Sequence, residues 1–205
     1  MFSVVSGLPE QQQGGIFMKN TNKLSTKNMV LAAILTGIVV LLQFLGSFIK
    51  FGPFSISLVL IPIVIGTATC GKMIGAWLGL VFGIIVLVSG DAAWFLSLSV
   101  PGTILTVLLK GIACGYGAGL VYKALEAKNR TLAVAAAAVA CPVINTGVFL
   151  LGCFAFFMSG ISSVAGGDIV NYIIFTLVGG NFLFELLLNL IISPAIVRIL
   201  NYRIK

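Results

Sequence analysis

The strongest constraint on this chain is the length of its apolar runs. Met29 to Ile49 contains no charged residue at all, and comparable runs recur to the C-terminus, separated by short segments carrying glycine, proline or charge. At about 1.5 Å of rise per residue, twenty such residues in a helix cover roughly the 30 Å hydrocarbon layer of a bilayer. A water-soluble fold has no use for helices that are apolar on every side, because it needs polar surface to meet solvent. Of the 205 residues, 60% are hydrophobic and only 8% charged, too few polar groups to coat a soluble globule of this size.

Six spans are predicted: Met29 to Ile49, Ile56 to Cys70, Met73 to Ser89, Pro101 to Leu125, Thr131 to Met158 and Asn171 to Leu200. The second is short and carries Pro62, so it is expected to be bent or covered by neighbours. Pro101 suits a first helical turn, whereas Gly179, Gly180 and Pro194 interrupt the last run. Placing the N-terminus inside puts Lys19, Lys23, Lys27, Lys72, Lys123, Lys128, Arg130, Arg198, Arg203 and Lys205 on the cytoplasmic side. The outer loops then hold Lys50, Asp91 and Asp168. Positive residues accumulate inside, so the expected fold is an all-α membrane protein, a six-transmembrane-helix bundle with both termini cytoplasmic, in a bacterial plasma membrane. The same placement explains the formal charge of +7 as a topology signal and leaves no case for nucleic acid.

Residues 1–28 read as a disordered, basic N-terminal segment and 29–205 as the transmembrane domain. Met18 opens a lysine-rich stretch that reads as a natural bacterial start. Residues 1–17 are then an upstream extension, with Gly14 and Gly15 the translated image of a ribosome-binding sequence. Cys70, Cys114, Cys141 and Cys153 fall in or beside different apolar runs. With no CxxC pair and no histidine they are expected to be buried small residues, and no metal or other cofactor is indicated. Residues 66–73, GTATCGKM, come close to the phosphate-binding GxxxxGK[ST] pattern. Met73 breaks the match and no strand precedes it, so any nucleotide hydrolysis is expected on another subunit.

Glycines recur every four residues at 71, 75, 79 and 83 and again at 111, 115 and 119. Such ridges let helices approach closely, either within the bundle or against another membrane protein.

Polar groups at membrane depth carry the functional reading. Lys110 lies nine positions past Pro101, about 13 Å below the outer end of its helix, where a charge must face the bundle interior and find a partner. Glu185 lies about 20 Å into the sixth span, with Asn181 one turn before it and Asn189 one turn after; Asn145 follows Pro142 at similar depth. Two readings stand. Lys110 and Glu185 tie two helices together, or Lys110 meets an anionic group of a small solute while Asn145 and Asn181 bond its polar edges in an outward-opening pocket. Phe54, with Phe51, and Trp94, with Phe95, sit in the first two outer loops, where aromatic residues either gate such a pocket or anchor in the interface.

The first span reads LAAILTGIVVLLQ, with Ala33 and Gly37 four apart, Leu41 a further turn on, and a lysine-rich stretch before it. This resembles the small-xxx-small first helix in the substrate-binding S-components of energy-coupling factor (ECF) transporters. The six spans, cytoplasmic ends, basic turn between spans four and five, and polar residues in the later spans extend the likeness; Gly37 stands where alanine is commoner. The resemblance implies an integral membrane subunit that is not an enzyme. Such a subunit captures a vitamin-like solute at the outer side and docks through Ala33, Gly37 and Leu41 on a membrane scaffold, the T-component, coupled to two cytoplasmic ATPases. The lack of histidine argues against the nickel and cobalt branch, and Lys110 tilts the expected cargo toward an anionic or carboxylated compound, pantothenate-like or pterin-like. Alternatives are a membrane scaffold of a cell-envelope assembly and a stand-alone small-solute carrier. A membrane hydrolase lacks a placed nucleophile and base, since no serine has an evident partner in Lys110.

Overall fold

A computed structural model describes residues 26–48, 50–51, 54–55, 58–164, 168, 171–172 and 179–202. The expected start at Met18 therefore lies outside the described residues. Helices occupy each predicted span: α1 (Thr26–Ser47), α2 (Leu60–Cys70), α3 (Lys72–Val88), α5 (Val100–Leu125), α6 (Arg130–Gly152) and α8 (Gly180–Tyr202). Among the described residues, two further short helices are α4 (Ala93–Leu98), inside the predicted second outer loop, and α7 (Met158–Val164), which continues α6 through a π-helical turn, Cys153–Phe157. Between α1 and α2 a two-residue antiparallel pairing joins β1 (Lys50–Phe51) to β2 (Phe54–Ser55), Phe51 opposite Phe54.

Among the described residues, three helices are long and apolar enough to cross a membrane: Thr26–Ser47, Val100–Leu125 and Arg130–Ser163. Leu60–Cys70 and Lys72–Val88 are apolar but shorter. The shortness of α2 has a local cause. Pro62 falls in the first turn, where its missing N–H costs no bond, so the proline sits at the helix start instead of bending its middle. Val59, Leu60, Ile63 and Val64 are completely buried, so α2 is an interior element covered by its neighbours.

The helix ends follow their sequences. The Ser99 side chain accepts from Gly102 N at 3.3 Å and Pro101 takes the first turn of α5. Asn129 Oδ1 accepts from Thr131 N and Leu132 N at 2.9 and 3.2 Å, capping α6 after the charged turn. Gly71 links α2 to α3 at φ 94°, ψ 169°, a region open essentially to glycine alone. The near-match to a phosphate loop is thus a turn between two helices. Thr67 Oγ1 donates to Gly115 O at 3.2 Å, and the Lys72 ammonium lies 5.0 Å from the centre of the Tyr116 ring.

The two glycine ridges face each other. A Cβ on Gly75 would stand 2.6 Å from Gly115 O and one on Gly83 would stand 2.9 Å from Val107 O; Gly79 and Gly111 approach each other's carbonyls more closely still. Helices α3 and α5 therefore meet backbone to backbone, and the ridge glycines other than Gly71, which lies in the link before α3 with nothing within 4 Å, are consumed inside the bundle. Around this seam lies the main apolar core, including Leu35, Leu78, Phe82, Cys114 and Ala138. A second cluster of Phe95, Phe149, Cys153, Phe157 and Ile161 lies toward the end that carries α4. All four cysteines are free thiols; Cys114, Cys141 and Cys153 are buried.

Candidate functional site

One polar layer forms where α3, α5, α6 and α8 come together. Lys110 projects from α5 between two aromatic rings, its ammonium 5.5 Å from the centre of Phe82 on α3 and 5.5 Å from that of Phe149 on α6. A cation held over ring faces gains electrostatic stabilisation that water would otherwise supply. Glu185 belongs to α8, which packs against α6. Glu185 is 1% exposed, and Asn189, one turn further along α8 and equally buried, donates Nδ2 to Glu185 O at 2.8 Å.

Asn145 is 5% exposed on α6. It follows Pro142, whose missing N–H removes the bond that the buried Ala138 carbonyl would otherwise accept. The oxygens Asn145 Oδ1 and Asn189 Oδ1 are both closed off from solvent with no hydrogen-bond donor among the described residues. Buried polar atoms are nearly always paired, so such oxygens in a membrane interior mark a place where a donor belongs.

Trp94 opens the aromatic side of the layer. It packs edge-on against Phe95 at 4.7 Å between ring centres, and Phe95 meets Phe149 at 5.3 Å and Phe157 at 5.2 Å. The Phe149 ring beside Lys110 is therefore two ring contacts from Trp94. The structure thus brings Lys110, Glu185 and Trp94 into one connected environment, with Asn145 on the same face of α6 as Phe149 one turn on. Asn181 falls in α8 and Phe54 in β2; the positions of their side chains lie outside the described residues.

Sequence reasoning did not select Phe82 and Phe149, because a phenylalanine in an apolar run carries no signal of what it faces. It also did not select Gln43 and Asp91 for the site. Gln43 Nε2 donates to Asp91 Oδ2 at 2.6 Å, and Ser89 Oγ donates to the same oxygen at 3.2 Å. The available signal was the amide of Gln43 standing near the outer end of an otherwise apolar span.

A different face presents Ala33, Gly37 and Leu41. All three are exposed along one stripe of α1, with Leu41 at 65%, and a Cβ on Gly37 would meet nothing within 4 Å. The opposite face holds the buried Ala32, Leu35, Val39 and Gln43. Trp77 Nε1 donates to Thr36 Oγ1 at 3.3 Å and fastens α1 to α3. Small residues that fill an internal seam in α3 and α5 thus stand open in α1.

The sequence model of one protein family, described as "ECF transporter, substrate-specific component", matches residues 27–200. No curated protein and no solved structure matches the chain.

Proposed function

The chain belongs to the substrate-specific components of ECF transporters. From that premise we propose that it is the solute-capturing subunit of an ATP-driven vitamin or micronutrient importer, multi-pass in a bacterial plasma membrane. Six crossings and cytoplasmic termini accord with the positive residues gathered at alternate helix junctions. The observation that carries the solute site is the buried polar layer, in which the Lys110 ammonium, held between Phe82 and Phe149, is accompanied by Glu185 and Asn145. Ionisable groups at this depth are expensive to place and serve function far more often than packing. Asn181, one turn before Glu185 in the sequence, and Phe54 and Trp94 of the first two outer loops are assigned to the same site from their sequence positions.

Capture at the outer side is followed by docking of the exposed α1 stripe, Ala33, Gly37 and Leu41, on a T-component coupled to two cytoplasmic ATPases. An open glycine flanked by exposed apolar residues lets a partner helix approach the backbone, which is how membrane helices associate where hydrophobic burial supplies no drive. The subunit supplies recognition, and the separate ATPases supply hydrolysis. A cell-envelope scaffold would use its glycine ridges on a partner, but both ridges are spent between α3 and α5.

Native mass spectrometry of the detergent-purified chain tests this reading. A stoichiometric organic mass that disappears in Lys110→Met, with folded yield retained, is the expected result. A bare polypeptide mass after expression in vitamin-replete medium would refute capture and favour the envelope scaffold; loss of folding in Lys110→Met would make the residue a helix tie.

A further inference from the structure

The outer end of the bundle holds an acceptor pair beyond the residues already assigned to the solute. Gln43, on the inward face of α1 and 1% exposed, donates Nε2 to Asp91 Oδ2. That bond settles the orientation of the amide, since a carboxylate oxygen accepts and the nitrogen must face it. Gln43 Oε1 is therefore an acceptor, and it is closed off from solvent with no donor among the described residues; the same holds for Asp91 Oδ1. Two acceptor oxygens, one amide and one carboxylate, thus flank a single hydrogen bond, and a buried acceptor left without a donor is costly.

Resting on the capture reading above, we propose that Gln43 Oε1 and Asp91 Oδ1 form a subsite for a nitrogen group of the solute, an amine, ammonium or amino-heteroaromatic carrying at least two N–H hydrogens. A group of that kind carries a donor for each oxygen. A carboxylate does not, because it brings only acceptors to acceptors. Lys110 alone suggests an anionic cargo, but the buried Glu185 and the Asp91 bonded to Gln43 are two carboxylic residues to its one cation. Deeper in the layer the orientation of Asn189 is settled in the same way, by its donation to Glu185 O, and its Oδ1 is a further acceptor without a donor among the described residues. The described polar layer therefore offers several acceptor oxygens without donors, which a molecule carrying N–H groups would complement.

The test uses the full chain and the small molecule that copurifies with it, released and weighed in H2O and in D2O. At least two exchangeable N–H hydrogens on nitrogen, beyond any acid proton, are expected. Occupancy measured by native mass spectrometry should fall about tenfold or more in Asp91→Asn and in Gln43→Met. A copurified molecule without such hydrogens overturns the subsite while leaving capture intact. So does unchanged occupancy in both variants accompanied by a lower melting temperature, which would make the pair a tie between α1 and the turn after α3. A chain that carries no small molecule refutes capture itself, and the subsite with it. Should a variant fail to fold, the deuterium count on the wild-type cargo still decides the matter.

Discussion

Replacing the seam glycines one at a time by alanine converts the closeness of α3 and α5 into a measurable series. Ordinary contact begins near 3.4 Å, whereas a methyl at Gly75 would stand 2.6 Å from Gly115 O and one at Gly83 would stand 2.9 Å from Val107 O. Restoring contact needs a displacement of about 0.8 Å in the first case and about 0.5 Å in the second, enough to forfeit a quarter to a half of each dispersion well along the seam. These carbonyls cannot swing away as a flexible side chain would, and at Gly75 the Thr67 hydroxyl stands closer still. Overpacking of this kind costs about 1–3 kcal/mol, and Gly79→Ala and Gly111→Ala belong at or above the top of that range. Gly37→Ala is the internal control, since its methyl meets nothing within 4 Å. Thermal melts in one detergent, read by loss of the monodisperse peak, should order the variants Gly79, Gly75 and Gly111 lowest, then Gly83, with Gly37 at wild type. Equal melting temperatures for Gly79→Ala and Gly37→Ala would refute the reasoning.

Three further outcomes are expected. Gly37→Phe, placed on the open stripe of α1, should leave the melting temperature and any bound solute unchanged but abolish copurification of the T-component; retained association would move the docking surface elsewhere. Gly71→Ala should destabilise the chain by about 1–3 kcal/mol, because alanine scarcely populates φ 94°, ψ 169°, and an unaffected melt would show that this turn readily takes another conformation. Phe149→Leu removes a ring shared by Lys110 and Phe95, so it should weaken solute occupancy several-fold with a smaller change in stability. Calorimetric melting beside native mass spectrometry separates the two effects, and intact occupancy would detach the aromatic cluster from the site.

Much of the architecture was legible because membrane helices announce themselves locally. A run such as Met29 to Ile49 excludes other spanning structures by length and apolarity, and Pro101 marks where a helix begins. The depth of Lys110 could be counted along its own helix, so its inward placement followed from the cost of leaving it in lipid. The family likeness was visible in the same way, since spacing, span pattern and charge distribution are all properties read along one strand of sequence.

Relations between helices were not legible. Ala33 and Gly37 on α1 have the same four-residue spacing as Gly75 and Gly79 on α3, yet the first pair stands open and the second is sealed against α5. Spacing shows that a helix has a small face; only its neighbours decide whether that face is used up. Likewise, the sequence determined that Lys110 needs partners, but the tertiary structure chose Phe82 and Phe149 as the rings beside it. Apolar length and charge depth are set by the cost of transfer into lipid, which each segment meets by itself. Pairing depends on which helices touch, and that is decided by the packing of the whole bundle.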